Sequence, residues 1–595
     1  MAELSIVHGS EESALWPKRL GDLIEDQASS FGHRTAVVTP WQGKRLSFND
    51  LAESSKTLAN AMVRAGLRLG DCVAVMAGNR YEYIEAFLAG GRIGCPVLPI
   101  NNAYTPVEVL RALQRSSCKL LFIASDIGPR SLSAHIQCLL TSDSEDKLPD
   151  LSTIVSFGGS HNDPRIQVYG DFLASGALGD EGDFLQSAER IVRPSDSLSY
   201  QFTSGTSGEP KLSMLSHRGL INNARLVGNA MRLTPEDVVC CPPPLFHTFG
   251  LVLGFLNAFT HGSAIVFPSD QFNAEQAIDA VAQEKATALL GVPTMFVAEL
   301  EVCDARQIEI TTVRTGLAAG SPVSETLLSR LEERLGCKGM LIAYGMTETS
   351  PVTFMTSLDD PKHKAMTSLG RVLPHTSAKI VDENGVIVRR GEKGELCTSG
   401  YGLQKGYFNN EMKTKEAMRY DADGRLWMHT GDQCYLDTEG YCHISGRTKD
   451  IIIRGGENMF PLEIEERLLV HPAITEASVV GVADQKYGQV VGCFLKLATN
   501  HTRPQDQELR DWVRAELSWH KAPQHMFWVG EGGICPDFPK TASGKHQKHI
   551  MEGIANTSLS GNLSSIKTQS TPVGYSFFGL SLCLIPVALY LSIYS

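Results

Sequence analysis

The chain has 595 residues, 43% hydrophobic and 20% charged, with a formal net charge of -12 and a pI near 5.8. That length exceeds what one core usually holds, so two or more domains are expected, and an acidic balance without an apparent basic face argues against a nucleic-acid partner. Fourteen cysteines with no Cys-x-x-Cys pair and no His/Cys group at metal-ligand spacing predict reduced, mostly buried thiols, no zinc site and an intracellular enzyme.

The first thirty residues are polar and mixed in charge, lacking the apolar core of a signal peptide, so secretion is not expected. Cys72 to Met76 is a short apolar run; Ile84, Phe87, Leu88 and Gly91 repeat at helical spacing, and Cys95 to Ile100 is apolar again. Pro106 opens another helical stretch that ends before Leu120 to Ile123. This β-α-β alternation predicts a layered α/β architecture with parallel strands. The Asp- and Gly-rich stretch 141–182 reads as an irregular excursion, and Ser197 to Phe202 as a strand.

That strand delivers the run Thr203-Ser204-Gly205-Thr206-Ser207-Gly208-Glu209-Pro210-Lys211. Glycines admit a polyphosphate close to the backbone, hydroxyls and amides donate to its oxygens, and the lysine adds a mobile positive charge. The run lacks the Gly-Lys-Ser/Thr ending of a nucleoside triphosphatase P-loop, which disfavours a dedicated phosphorylating enzyme. By itself it reads equally well as a flexible connector. Four more segments follow in order: Tyr344-Gly345-Met346-Thr347-Glu348-Thr349; His429-Thr430-Gly431-Asp432; Gly446 to Asp450 running into Arg454-Gly455-Gly456-Glu457-Asn458; and Pro539-Lys540-Thr541-Ala542-Ser543-Gly544-Lys545. After Ser445-Gly446, a natural pivot, Pro461 suits the first turn of a helix through Glu463, Ile464, Glu465 and Leu468.

Together these five motifs resemble the adenylate-forming superfamily of acyl-CoA synthetases, luciferases and peptide-synthetase adenylation domains, over roughly residues 15 to 550. Gly291-Val292-Pro293-Thr294-Met295-Phe296, Ala319-Gly320-Ser321-Pro322, Ser350 to Phe354 and Gly370 to Thr376 are similar to the medium-chain branch called acyl-CoA synthetase family member 2. The resemblance implies a large layered N-terminal adenylation domain over 1–446 and a small, mobile α+β C-terminal lid over 447–552. It implies ATP, Mg²⁺ and CoA as cofactor and co-substrates, and a reaction that activates a carboxylic acid as its acyl-adenylate before passing it to CoA.

The same resemblance assigns roles. Lys545 is the expected catalytic cation of adenylation, set against the bland reading of a solvated lysine. Thr203, Ser204, Gly205, Thr206, Ser207 and Lys211 are expected at the phosphates. Glu348, beside Thr347, is the expected Mg²⁺ ligand, a hard oxygen donor suited to that ion. Tyr344 is expected against adenine, with Ala319, Gly320 and Ser321 on its other side. Asp432 suits a ribose cis-diol, although a turn aspartate after glycine is a common structural feature, and Arg447 is expected at phosphate or ribose. Read from its neighbours alone, His247 is a core histidine; the resemblance places it between acyl pocket and CoA tunnel, as a gate rather than a general base. Lys449 is the expected hinge, and Arg454, Gly455, Gly456 and Glu457 the loop facing CoA. Val292, Ala318 and Ala319 are small or modest in size and leave room for an alkyl chain. They favour a medium-chain or otherwise extended apolar monocarboxylate, in fatty-acid or secondary-metabolite biosynthesis. Gln489 stands where a glutamate is more usual in that family.

Beyond Lys548 the chain continues where members of this branch usually end. Residues 553–572 read as a flexible Ser/Thr/Asn/Gly-rich linker. Residues 573–594 carry no charge and, at 1.5 Å each, reach roughly 33 Å, so a C-terminal transmembrane helix and membrane association are expected, with a cytoplasmic setting otherwise. Two alternatives stay open: loading of the acyl group onto a carrier protein, and an inactive membrane-tethered binding relative.

Overall fold

The computed structural model describes residues 3–141, 148–158, 163–177, 184–203, 210–319, 323, 325–454, 457–499, 501–531, 534–541 and 544–559. Within them, a seven-stranded sheet runs in the order Ile166–Val168, Thr153–Ser156, Cys118–Ile123, Cys72–Met76, Val97–Pro99, Ser197–Thr203, Lys211–Ser216. Its strands pair in parallel up to Ser197–Thr203, and only the closing hairpin is antiparallel. A parallel sheet covered on both faces needs strands that are apolar at every position; Cys72–Met76 is buried throughout. The expected β-α-β unit is this strand, the helix Tyr81–Arg92 and Val97–Pro99. The helix Pro106–Ser116 begins where its proline predicts, because Thr105 Oγ1 accepts the Glu108 N–H and the Glu108 carboxylate accepts the Thr105 N–H in return.

The stretch read as irregular is more ordered than expected. It contributes Thr153–Ser156 and Ile166–Val168 to the sheet edge, then the helix Tyr169–Gly176. Its apolar runs are too brief for a period to show among the flanking polar residues, and the neighbouring strand Cys118–Ile123 supplies the pairing.

A nine-stranded sheet runs from Arg371–Val372 through Val352–Met355, Gly339–Gly345, Thr315–Ala319, Ala288–Gly291, Val238–Cys240 and Ala264–Val266 to the hairpin Thr35–Thr39 and Lys44–Ser47. A six-stranded antiparallel sheet adds Thr376–Val381, Gly394–Gly400, Leu426–Leu436 and Cys442–Arg447. One buried cluster, containing Leu20, Phe87, Phe122, Phe255 and Leu341, joins the first two sheets.

After Cys442–Arg447 a single 3₁₀ turn, Thr448–Asp450, leads into a separate five-stranded sheet built on the long hairpin Ile474–Asp484 and Gly488–Leu497. The helix predicted from Pro461 spans Pro461–Leu469 and buries Ile464 and Leu468 against Ile452, Val479 and Trp528. The chain is thus a mixed α/β protein with a large N-terminal part and a small C-terminal one. The expected linker at 553 begins inside a helix, Lys548–Leu559, which buries Met551 and Ala555 against Val482 and Phe494.

The membrane expectation is corrected. Among the described residues no helix is long and apolar enough to cross a membrane. Residues 573–594, on which the transmembrane reading and the membrane-associated localisation rested, lie outside the described residues, and both are withdrawn.

One buried base makes folding pH-dependent. His217 is fully buried, its Nδ1 accepts the Leu20 N–H at 3.0 Å, and its Nε2 has no hydrogen-bond partner among the described residues. Burial lowers its pKa from 6.5 to about 4, so between those values the unfolded chain binds a proton that the folded chain does not. Its contribution is complete above pH 6.5 and is lost as pH falls toward 4, by about 2 to 3 kcal/mol at pH 4.5. We expect His217→Asn to flatten the pH dependence of the unfolding midpoint in this window; an unchanged slope would remove His217 as its source.

Candidate active site

Three elements meet at the Asp432 carboxylate. The strands Leu426–Leu436 and Cys442–Arg447 pair with Asp432 directly opposite Arg447, and Arg447 Nε donates to Asp432 Oδ1 at 3.1 Å. Tyr344, near the end of Gly339–Gly345, donates its hydroxyl to Asp432 Oδ2. Each carboxylate oxygen has a second lone pair, so the pair of oxygens stays able to accept two further donors. Burial, then the Asp432 charge, push the Tyr344 ionisation well up, which keeps the phenol a donor.

Behind Asp432 lies a residue that was not singled out from the sequence. Glu395 and Cys397 share one face of Gly394–Gly400, two residues apart, and the antiparallel register sets His429 opposite Cys397. Glu395 Oε1 accepts the Gly431 N–H at 3.1 Å, and Oε2 lies 2.8 Å from His429 Nδ1. Burial opposes the Glu395 charge, but His429 and the Gly431 amide outweigh it and hold the carboxyl below its usual range. Gly431 has φ +73, a left-handed turn that favours glycine. Glu395 therefore pins the turn that aims Asp432. The ligand-type atoms of Glu395, Cys397 and His429 lie within 4.8 Å of one another, closer than sequence spacing suggested. They already hydrogen-bond among themselves, with the positive charges of Lys379 and Arg419 beside the thiol, so the trio serves as a brace.

A second cluster centres on Glu348, buried in the turn Thr347–Thr349. The Tyr407 hydroxyl donates to Glu348 Oε1 at 2.9 Å, and the Lys211 ammonium lies 4.9 Å from the centre of the Tyr407 ring. Lys211 is directly opposite Thr203 in the hairpin; Ser204, Gly205, Thr206 and Ser207 lie outside the described residues, as do Gly320 and Ser321.

The small domain contributes Lys545. Thr541 and Lys545 exchange hydrogen bonds that close a tight loop, and Gly544 takes φ +81 within it. Lys540 and His546 both pair with Glu476, anchoring the loop base. Of the two motif lysines, Lys540 is structural and Lys545 faces the other domain: burial and the Arg447 charge lower its pKa, while Asp432 and Glu348 raise it. Burial, then Lys545, lower the pKa of His247 to about 4. Its Nδ1 accepts the Phe249 N–H at 3.1 Å, so the ring is neutral near pH 7 and a poor base. Asn79, also missed in the sequence, staples the segment before it, donating to Pro242 and Pro243 carbonyls and accepting the Leu245 N–H at 2.8 Å.

The three expected pocket residues do not share a face. Ala318 and Ala319 alternate across the strand Thr315–Ala319. Ala318 is buried in a cluster with Leu289 and Phe296, whereas Ala319 and Val292 border the main core. The pocket reading narrows to Val292 and Ala319. Arg454 stacks on Tyr487 and Trp519, and Glu457 pairs with His520 at 3.2 Å; Gly455 and Gly456 lie outside the described residues. Gln489 Oε1 accepts the Ile453 N–H at 2.9 Å, a bond that a glutamate oxygen could equally accept. Lys449 is exposed in the turn Thr448–Asp450.

With this geometry in hand, comparison with known proteins is direct. The family model described as AMP-binding enzyme matches residues 24–408, and that of the AMP-binding enzyme C-terminal domain matches 463–545. Acyl-CoA ligase sidI of Beauveria bassiana is 45% identical over 94% of this chain and 95% of its own length. Medium-chain acyl-CoA ligase ACSF2, mitochondrial, of Mus musculus is 33% identical over 92% and 89%. The crystal structure of ATP-bound MatB from Rhodopseudomonas palustris superposes with a TM-score of 0.77 at 26% identity, covering 90% of this chain and 99% of that one. The chain belongs to the AMP-binding, adenylate-forming enzymes. Among them it is an ATP-dependent acyl-CoA ligase that works through an acyl-adenylate.

Proposed function

We propose that this protein is an AMP-forming acid–thiol ligase that activates a medium-chain or otherwise extended apolar monocarboxylate and transfers it to CoA. The reading is supported by the geometry of two carboxylates, Asp432 held by Tyr344 and Arg447 and Glu348 held by Tyr407, and by Lys545 of the small domain, whose pKa Asp432 and Glu348 raise against burial and the Arg447 charge. Adenylation gathers negative charge where carboxylate meets α-phosphate, and a cation already held there stabilises that charge without reorganisation. The partial desolvation of Lys545 strengthens its field at the same point.

In this reading Asp432 accepts the ribose hydroxyls while Arg447 fixes its plane and reaches toward phosphate. Tyr344 and Ala319 flank adenine, Gly320 and Ser321 continue that wall, and Thr203, Ser204, Gly205, Thr206, Ser207 and Lys211 hold the outer phosphates. Glu348, with Thr347, fits Mg²⁺, because a buried carboxylate fixed by a hydroxyl and a neighbouring hydroxyl side chain are hard oxygen donors. Bound there, the ion would supply charge neutralisation at the phosphates. His247, neutral near pH 7, orients the acid at the entrance of the CoA path. After adenylation the small domain turns about Lys449, withdrawing Lys545 and bringing forward Arg454, Gly455, Gly456 and Glu457. Arg454, braced by two aromatic rings, then offers its charge to CoA.

The test is ATP–pyrophosphate exchange over straight, branched and aryl acids, followed by competition between CoA and a carrier-protein thiol. Exchange dependent on an apolar acid with transfer to CoA is expected; exchange with no acid would refute the reading, and preference for the carrier thiol would replace its second half. The pocket makes a further prediction. Ala319→Trp should shift preference toward shorter acids, since overfilling an apolar site costs roughly 1 to 3 kcal/mol for longer ones. The ratio of kcat/KM between long and short acids is the measurement, and an unchanged ratio would place the pocket elsewhere.

A further inference from the structure

We propose that Tyr407 is a positioning residue that ties the Glu348 carboxylate to the Lys211 ammonium, and so sets the divalent metal and the outer phosphates of ATP in one fixed relation. The inference rests on the metal and phosphate roles given above to those two residues. Neither of the two is near Tyr407 in sequence; the fold brings all three together.

The side chain is suited to the task. Tyr407 is 5% exposed. Its hydroxyl donates to Glu348 Oε1 at 2.9 Å, while its ring lies 4.9 Å from the Lys211 Nζ. A phenol is the residue type that offers a donor to a carboxylate at its edge and an electron-rich face to a cation. With one carboxylate oxygen held, rotation of Glu348 is restricted.

The backbone around Tyr407 is fastened to both partners. Met214 donates to the Gly406 carbonyl at 3.0 Å, Lys405 to the Met214 carbonyl at 2.9 Å and Phe408 to the Leu212 carbonyl at 2.8 Å. These bonds zip the segment to the strand Lys211–Ser216. On the other side the Gln404 N–H donates to the Glu348 carbonyl at 2.8 Å. Thr414 Oγ1 accepts the Tyr407 N–H at 2.9 Å, and Gly406 takes φ +138, where a side chain is strained. Tyr407 is thus the side-chain rung of a backbone ladder that already spans from the lysine strand to the glutamate turn.

Groups that orient a metal ligand commonly affect metal affinity by about 10- to 100-fold when removed. Tyr407→Phe keeps the ring beneath Lys211 and removes only the hydroxyl. Mn²⁺ binding would be followed by electron paramagnetic resonance in the presence of a non-hydrolysable ATP analogue. The Phe variant should bind Mn²⁺ about tenfold more weakly, at the low end of that range. The Mg²⁺ midpoint of acid-dependent pyrophosphate exchange should rise by the same factor. Its unfolding midpoint and its rate of thioester formation from supplied acyl-AMP should stay close to wild type. Tyr407→Leu, which also removes the ring, should in addition raise the KM for ATP. On a Glu348→Gln background Tyr407→Phe should cause no further loss of Mn²⁺ binding, because the two act through one carboxylate. Unchanged Mn²⁺ affinity in the Phe variant overturns the proposal, as does equal impairment of both half-reactions with metal binding intact. If wild-type protein shows no acid-dependent exchange, the ligase reading falls, while the Mn²⁺ measurement still decides the role of Tyr407.

Discussion

Lys545→Ala is expected to reduce acyl-adenylate formation by roughly 10² to 10³, the effect of losing about 3 to 4 kcal/mol of preorganised charge stabilisation. Thioester formation from supplied acyl-AMP should be largely retained. The asymmetry follows from where the lysine sits. Its loop is closed by the Thr541–Lys545 hydrogen bonds and anchored through Glu476, so an alanine removes the cation without unmaking the loop. The groups that lower or raise its pKa, Arg447, Asp432 and Glu348, belong to the adenylation side of the site. Pyrophosphate exchange measures the first half-reaction, and a single-turnover assay with acyl-AMP and CoA the second. Equal impairment of both would sink the scheme in which one small domain takes two positions.

Lys449→Pro should do the reverse, leaving pyrophosphate exchange within a few-fold of wild type while slowing CoA transfer by roughly a hundredfold, or about 2.7 kcal/mol. Lys449 occupies the short 3₁₀ turn between Cys442–Arg447 and the small sheet. Proline fixes φ near -65°, within the range that a 3₁₀ turn uses. A rotation that carries this residue out of that range is what proline forbids. Normal turnover of CoA by the variant would mean that the small domain pivots elsewhere. The two substitutions make a matched pair: each should spare the half-reaction that the other blocks.

The β-α-β alternation from Cys72 and the helix starts at Pro106 and Pro461 were legible because each rests on local information, an apolar run or a proline in the first turn. The order of five motifs made the family legible too. The strands inside 141–182 were not, since two apolar residues in each carry no period and the pairing partner of Thr153–Ser156, Cys118–Ile123, lies far back in the sequence. Similarly, alternation along Thr315–Ala319 separates Ala318 from Ala319, a division that composition cannot reveal.

What the sequence determined by itself is the chemistry: a lysine in a glycine-hinged loop, an aspartate after Thr-Gly, a glutamate after Tyr-Gly-Met-Thr. What only the tertiary structure decided is which groups hold those residues still. Glu395 reaches the Gly431 amide through strand register, Tyr407 reaches Glu348 across 59 positions of sequence, and Lys545 meets the field of Asp432 by the packing of one domain on another. Reactive groups can be recognised by type and local spacing. Their supports are recognised only by distance, because a hydrogen bond or an ion pair depends on where the chain returns in space and leaves no spacing in the sequence.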